Sequence, residues 1–265
     1  TANTKENPYE GLSFVSENTD LNLTIENLNV NADSSKPVIS FKGTGNTLVL
    51  SGENTLSNAI YSAKALILVP QDGDVTVKGS GTLNLQLVAG SYGAGIGGNT
   101  SAPAGTITID GGVINGTSYG AGALIGGAGS SNGGATVVVN GGTLDLNLLL
   151  NSGYNNSASC GAGIGGGSFA SSSNAQVSVT INGGTITGRT DIGASVIGTG
   201  YGSSVRQNIT INGGKIDVAA TGDGAAIGTG SRQVYNDFAP ARVPVNGGEV
   251  IASASGNGAA IGGGY

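Results

Sequence analysis

The chain has 265 residues, of which 51 are glycine, with no His, Met or Trp and a single cysteine; 38% of its residues are hydrophobic, 10% are charged, and the net charge is −6. That apolar content is too high for a flexible linker, glycine never recurs at every third position as collagen requires, and no run approaches the ~18 to 20 apolar residues of a membrane helix. The missing imidazole and the lone thiol remove Ser-His and Cys-His catalysis, an internal disulfide and the usual zinc ligand sets, and the acidic balance argues against a nucleic-acid backbone as partner.

Residues 1–20 carry no repeat and are expected to form a cap or linker ahead of one repeat domain spanning 21–265. Short alternating segments begin at Leu23-Thr24-Ile25 and return at Leu48-Val49-Leu50 and Val75-Thr76-Val77. Between the last two lies Gln71-Asp72-Gly73-Asp74, which reads either as an acid–glycine turn or as a small calcium loop. No metal site or cofactor is expected elsewhere.

From residue 90 onward two signatures alternate. One is a β-rich stretch closed by Asn or Asp and two glycines, at Asp110, Asn140, Asn182, Asn212 and Asn246. The other is Ala-x-Ile-Gly, with its isoleucine at Ile96, Ile125, Ile164, Ile197, Ile227 and Ile261. The first glycine of the pair and the next isoleucine lie 14 apart in four repeats: Gly111 to Ile125, Gly183 to Ile197, Gly213 to Ile227 and Gly247 to Ile261. The exception is Gly141 to Ile164, where residues 147 to 155 look inserted. Upstream, the isoleucine position aligns with Ile39 and Ile60, and the β-rich position with Ile25, Leu50 and Val77.

Each unit shows period-two alternation and no 3.6-residue period. Ile107, Ile109 and their copies fall on one face, while Thr106, Thr108 and theirs fall on the other. A second short strand is marked by Ile114, Leu144, Ile186, Ile216 and Val250, and a third by the Ala-x-Ile triplet. Three short strands in about 30 residues, repeated, predict an all-β fold: a right-handed, single-stranded parallel β-helix (β-solenoid) of about eight coils. The isoleucine column should be buried throughout, the asparagines should stack at one turn, and Cys160 should be an inert thiol. The last residues are the motif with which a coil would continue, which leaves room for further coils.

The segments Ser51-Gly-Glu-Asn-Thr-Leu56, Gly79-Ser-Gly-Thr-Leu83, Gly93-Ala-Gly-Ile-Gly-Gly98 and Thr-Ile-Asn-Gly-Gly resemble the glycine-rich β-helix repeats of large surface proteins of gut Firmicutes. They are also similar to carbohydrate-binding-domain repeats of clostridial exported proteins. The resemblance covers residues 20 to 265. It implies an extracellular location, secreted or at the cell surface, within a longer bacterial surface protein, and contact with glycans or a host or partner surface protein.

The residues themselves leave three functions open: an adhesin-like binding module, a passive stalk that displays other domains, and a polysaccharide-active enzyme. Catalysis would need converging carboxylates, but Asp145 and Asp217 are two coils apart with Thr187 between them, so no catalytic residues are assigned. The glycine after each isoleucine reads as a corner with positive φ, or as a bare face open to a ligand. The threonine rows read as ordinary outward β-residues rather than an ice-binding plane, because Val138, Asn208, Arg242 and Pro244 interrupt them. Aromatic and charged residues gather in the loops after Ala-x-Ile, and the candidate ligand-binding set is Tyr154, Phe169, Tyr201, Arg206, Arg232, Tyr235, Asp237 and Phe238. Such rings suit stacking on a sugar or a protein surface, or they cover the ends of the core.

Overall fold

The structure, a computed structural model, describes residues 3–59, 61–150, 160–173, 175–232 and 242–265. Every strand pairing is parallel, and no helix occurs among the described residues. Three sheets of seven, nine and nine strands run the length of the molecule. In each turn the chain passes through the first sheet (Thr106–Ile109, for example), the second (Val113–Ser118) and the third (Ile125–Gly126). Each strand then pairs with its copy in the next turn. This is a parallel β-solenoid.

Seven turns carry a strand in all three sheets. The eighth rung of the first sheet is reduced to two bridges, Asn208 to Arg242 and Ile211 to Val245. At the other end, residues expected to be only a cap or linker join the stack. Tyr9–Glu10 pairs with the second sheet and Phe14–Val15 with the third.

The register follows the repeats with two corrections. Val77 pairs with Leu48, which itself pairs with Leu23, while Leu50 meets Gly79. The column therefore runs two residues ahead of Ile25 and Leu50. A two-residue shift keeps every side chain on its face, so alternation alone cannot detect it. In the third sheet, Ile39 pairs with Ile67, and Ile67 with Ile96, so Ile67 rather than Ile60 holds the second-turn position. The triplet Ala65-Leu66-Ile67 already had the signature.

Ile96, Ile125, Ile164, Ile197 and Ile227 are fully buried, as the period required. Ile261 departs from this at 44% exposed, because it lies in the last rung and pairs on one side only, with Ile227. The middle residue of the triplet is not an outward position: Leu66, Leu124, Val196 and Ala226 are all buried. Its size is matched to the second sheet within the same turn. A Cβ on Gly95 would meet Leu85 Cδ1 at 3.2 Å, and one on Gly163 would meet Leu146 at 3.4 Å. Conversely, a Cβ on Gly116 would lie 2.6 Å from Leu124, and one on Gly188 2.9 Å from Val196. In these four turns a large side chain on one wall is matched by glycine on the other, whereas the second turn buries both Leu56 and Leu66 and the seventh both Val218 and Ala226.

The turn between the first and second sheets uses its two glycines differently. The second has positive φ in all five copies, from 85° at Gly112 to 90° at Gly248, a region open to glycine but strained for other residues. The first is required by close approach: a Cβ on Gly183 would sit 2.5 Å from the Asn140 carbonyl oxygen. The preceding asparagines do not take the left-handed conformation that the sequence allowed them. Their role is lateral. Asn140 Nδ2 donates to Asp110 Oδ1 at 2.8 Å, Asn182 to Asn140 at 2.8 Å, Asn212 to Asn182 at 2.9 Å and Asn246 to Asn212 at 2.8 Å.

The glycine stripe after the isoleucines is a corner. Gly97, Gly126, Gly165, Gly198 and Gly228 are buried, with φ between 129° and 143°. A Cβ on any of them would lie 1.8 to 2.1 Å from the glycine carbonyl oxygen of the next turn. The protein's own backbone occupies that approach, which leaves no bare face for a ligand.

Candidate functional site

The loop side of the solenoid is where the sequence placed binding. Loops 128–135, 168–176 and 199–206 stack there, joined by short hydrogen bonds. Ser171 and Ser172 amides donate to the Ser131 carbonyl, Phe169 N to Tyr201 O at 2.9 Å, and Ser203 Oγ to Gly167 O at 2.7 Å. Four of the candidate residues, Tyr154, Tyr235, Asp237 and Phe238, lie outside the described residues. The other four are separated by their surroundings. Tyr201 is only 9% exposed, seated against Gly193 and edge-on to Phe169, with ring centroids 5.7 Å apart. Its ring is a packed cover and offers no free face for stacking, a correction to the expected surface role. Phe169 is 43% exposed with φ of 58°. Arg206 is exposed beside a serine-lined hollow, whereas Arg232 lies near Tyr265, whose carbonyl accepts its amide. The loops thus bring Phe169 and Tyr201 together and leave Arg206 and Arg232 at different hollows.

Cys160 is buried, and burial pushes its thiol up to about 12. In the 71–74 turn, Asp74 Oδ1 accepts the Gly45 amide at 2.8 Å, and the Gly73 amide closes onto the Pro70 carbonyl at 2.8 Å. That is the turn reading. Asp145, Thr187 and Asp217 occupy successive rungs, and the Thr187 hydroxyl donates to Asp145 at 3.2 Å. Among the described residues no three His, Cys, Asp or Glu side chains gather as a metal site would need.

A second cleft, of about 360 Å³, lies on the outer face of the second sheet in the N-terminal half. Alternation along Glu53–Ser57, Thr82–Leu87 and Val113–Ser118 turns Leu56, Leu83, Leu85 and Ile114 inward and leaves amides and hydroxyls outside. Parallel pairing then aligns Thr55, Asn84 and Asn115 in one column and Ser57, Gln86 and Thr117 in the next. Lys5 and Pro8, from the N-terminal segment, form a wall.

The first column is internally bonded: Asn115 Nδ2 donates to Asn84 Oδ1 at 3.0 Å, and Asn84 Nδ2 to Glu53 Oε1 at 3.2 Å. Lys5 pairs with the same Glu53 carboxylate. These two donors, Lys5 first, hold Glu53 below the usual carboxylate range. In the second column, Ser57 is bonded to Asn31 at 2.7 Å, but the Gln86 amide and the Thr117 hydroxyl bond to no protein group among the described residues. Gln86 and Thr117 also edge an adjoining hollow of about 280 Å³, shared with Leu87, Val88 and Tyr119. The cleft therefore combines neutral donors and acceptors with an apolar, aromatic shoulder.

The sequence search missed this cleft because it followed loops and aromatics. The signal was present in the outward positions of two adjacent columns, Asn84 with Asn115 and Gln86 with Thr117, which are polar; along Thr82–Leu87 they alternate with leucines. Comparison of the chain with family models, with curated proteins and with solved structures returns no match.

Proposed function

We propose that the chain is a non-enzymatic, adhesin-like surface module that binds a neutral glycan in the cleft of the second sheet, at the cell surface or in secreted form. The observation that carries this reading is the free Gln86 amide and Thr117 hydroxyl between a bonded amide column and Tyr119. A side-chain amide offers donor and acceptor together, the pattern that adjacent sugar hydroxyls require. An apolar shoulder with a ring supports the less polar face of a pyranose. The sheet fixes the backbone from which these groups project, so only side-chain ordering falls on binding. The resemblance to surface-protein repeats agrees with the location and the ligand class.

The test is a neutral-oligosaccharide array probed with the protein and with the double variant Gln86→Ala/Thr117→Ala. Both side chains point outward, so the melting temperature should stay within about 2 °C. Binding by the parent and at least tenfold weaker binding by the variant are expected. A blank array for the parent favours the display stalk, and undiminished binding by the variant removes the cleft from consideration.

A further inference from the structure

We infer that the loop side carries a separate site for an oxyanion, the carboxylate or sulfate ester of an acidic sugar, centred on Arg206. The hollow there measures about 400 Å³ and lies between the loops that precede Val177–Ile181 and Gln207–Ile211. Its described lining holds one cation and no acid: Arg206 beside Ser171, Ser173, Gln176 and Val205. In a chain of net charge −6, Arg206 has hydroxyl, amide and apolar groups around it among the described residues. Arg189 and Lys215 pair with Asp191 and Glu249, but no carboxylate lies within ion-pair distance of Arg206 among the described residues.

The guanidinium fork matches two oxygens of a planar or tetrahedral oxyanion at once, and the hydroxyls of Ser171 and Ser173 line the same hollow. Arg206 and both serine-bearing segments are hydrogen-bonded into the stack: Val177 N donates to Arg206 O at 3.0 Å, and Ser204 N to Ala170 O at 2.7 Å. This site shares no residue with the cleft of the second sheet, so either can fail without the other.

Four arginines give four side-chain Nε–Hε signals in a nitrogen–proton correlation spectrum, and Arg206→Lys assigns the one from Arg206. The protein is titrated with sodium glucuronate, with sodium sulfate and with glucose, at ionic strength held constant by sodium chloride. A saturable shift of the Arg206 signal with glucuronate, sulfate or both, and none with glucose, is expected, and the two salts tell a carboxylate site from a sulfate site. The shift should persist in Gln86→Ala/Thr117→Ala, whatever that variant does on the neutral array. An Arg206 signal that stays still in both salts, or moves in step with the other three, overturns the site.

Discussion

The two sides of the solenoid obey different rules. Between the first and second sheets, a turn of Asp or Asn and two glycines repeats five times, with each first glycine against the neighbouring carbonyl and each of the four asparagines bonded to the Asp or Asn before it in the column. Between the third sheet and the next first strand, the connections differ in length and sequence from turn to turn. On the first side, the same glycine meets the same neighbouring carbonyl in copy after copy, so each copy dictates the next. On the second side the backbones also touch, as where the Ser171 and Ser172 amides meet the Ser131 carbonyl, but at positions that differ from turn to turn, so the connection can change in length and sequence. Rigidity on one edge is what frees the other to vary.

The largest expected effect breaks this contrast at its stiff edge. Gly183→Ala places a Cβ 2.5 Å from the Asn140 oxygen, and because both partners are backbone the turns must part. A loss of about 3 kcal/mol in denaturant unfolding is expected. By comparison, a Gly-Ser insertion after Ser131, in the loop side, should cost about 0.5 kcal/mol or less. Equal losses at the two places would erase the distinction.

A middle-sized effect sharpens it. Asn182→Ala removes the donor to Asn140 and the acceptor for Asn212, yet the side chain is exposed and water can substitute. About 1 kcal/mol should be lost in the same unfolding assay. A negligible change would mean that backbone contact alone fixes the edge.

An effect that is absent at neutral pH concerns Cys160, buried where the loop side meets the third sheet. Its folded thiol lies near 12, above the ordinary unfolded value, so its contribution is intact at neutral pH. It is lost as pH rises from the ordinary thiol range towards 12. Above pH 9, stability should fall more steeply in the parent than in Cys160→Ala, by at most about 1.4 kcal/mol per pH unit. Identical slopes would show that the thiol is reached by solvent.

The fold was legible because a solenoid writes its packing as sequence period. Ile96 through Ile227 had to be buried once their spacing matched a turn, and the asparagines had to stack. The weaker N-terminal copies were misread by two residues at Ile25 and Leu50, since period-two alternation is blind to a shift of that size. The part-turn at Tyr9–Val15 went unseen because two-residue strands carry no period at all. The candidate site was less legible. Tyr201 looked like a surface ring, but Gly193, just before the same Ile197–Gly198 strand that Tyr201 follows, makes a seat for it, a contact that strand alternation does not reveal. The sheet cleft depends on which outward side chains are left unbonded, and that is a property of the assembled column.

The matched sizes across the core reach beyond packing. Leu85 with Gly95, Gly116 with Leu124, Leu146 with Gly163 and Gly188 with Val196 each belong to a single turn, so each turn fills its own slice of interior. A gene segment encoding one whole turn can therefore be duplicated or deleted without opening a void in the slices on either side. Exchanging half-turns between these four would instead bring two large side chains or two glycines to one level, as the second turn does with Leu56 and Leu66. The heritable building block of this chain is the complete turn, and its length can drift in whole steps while its interior stays sound.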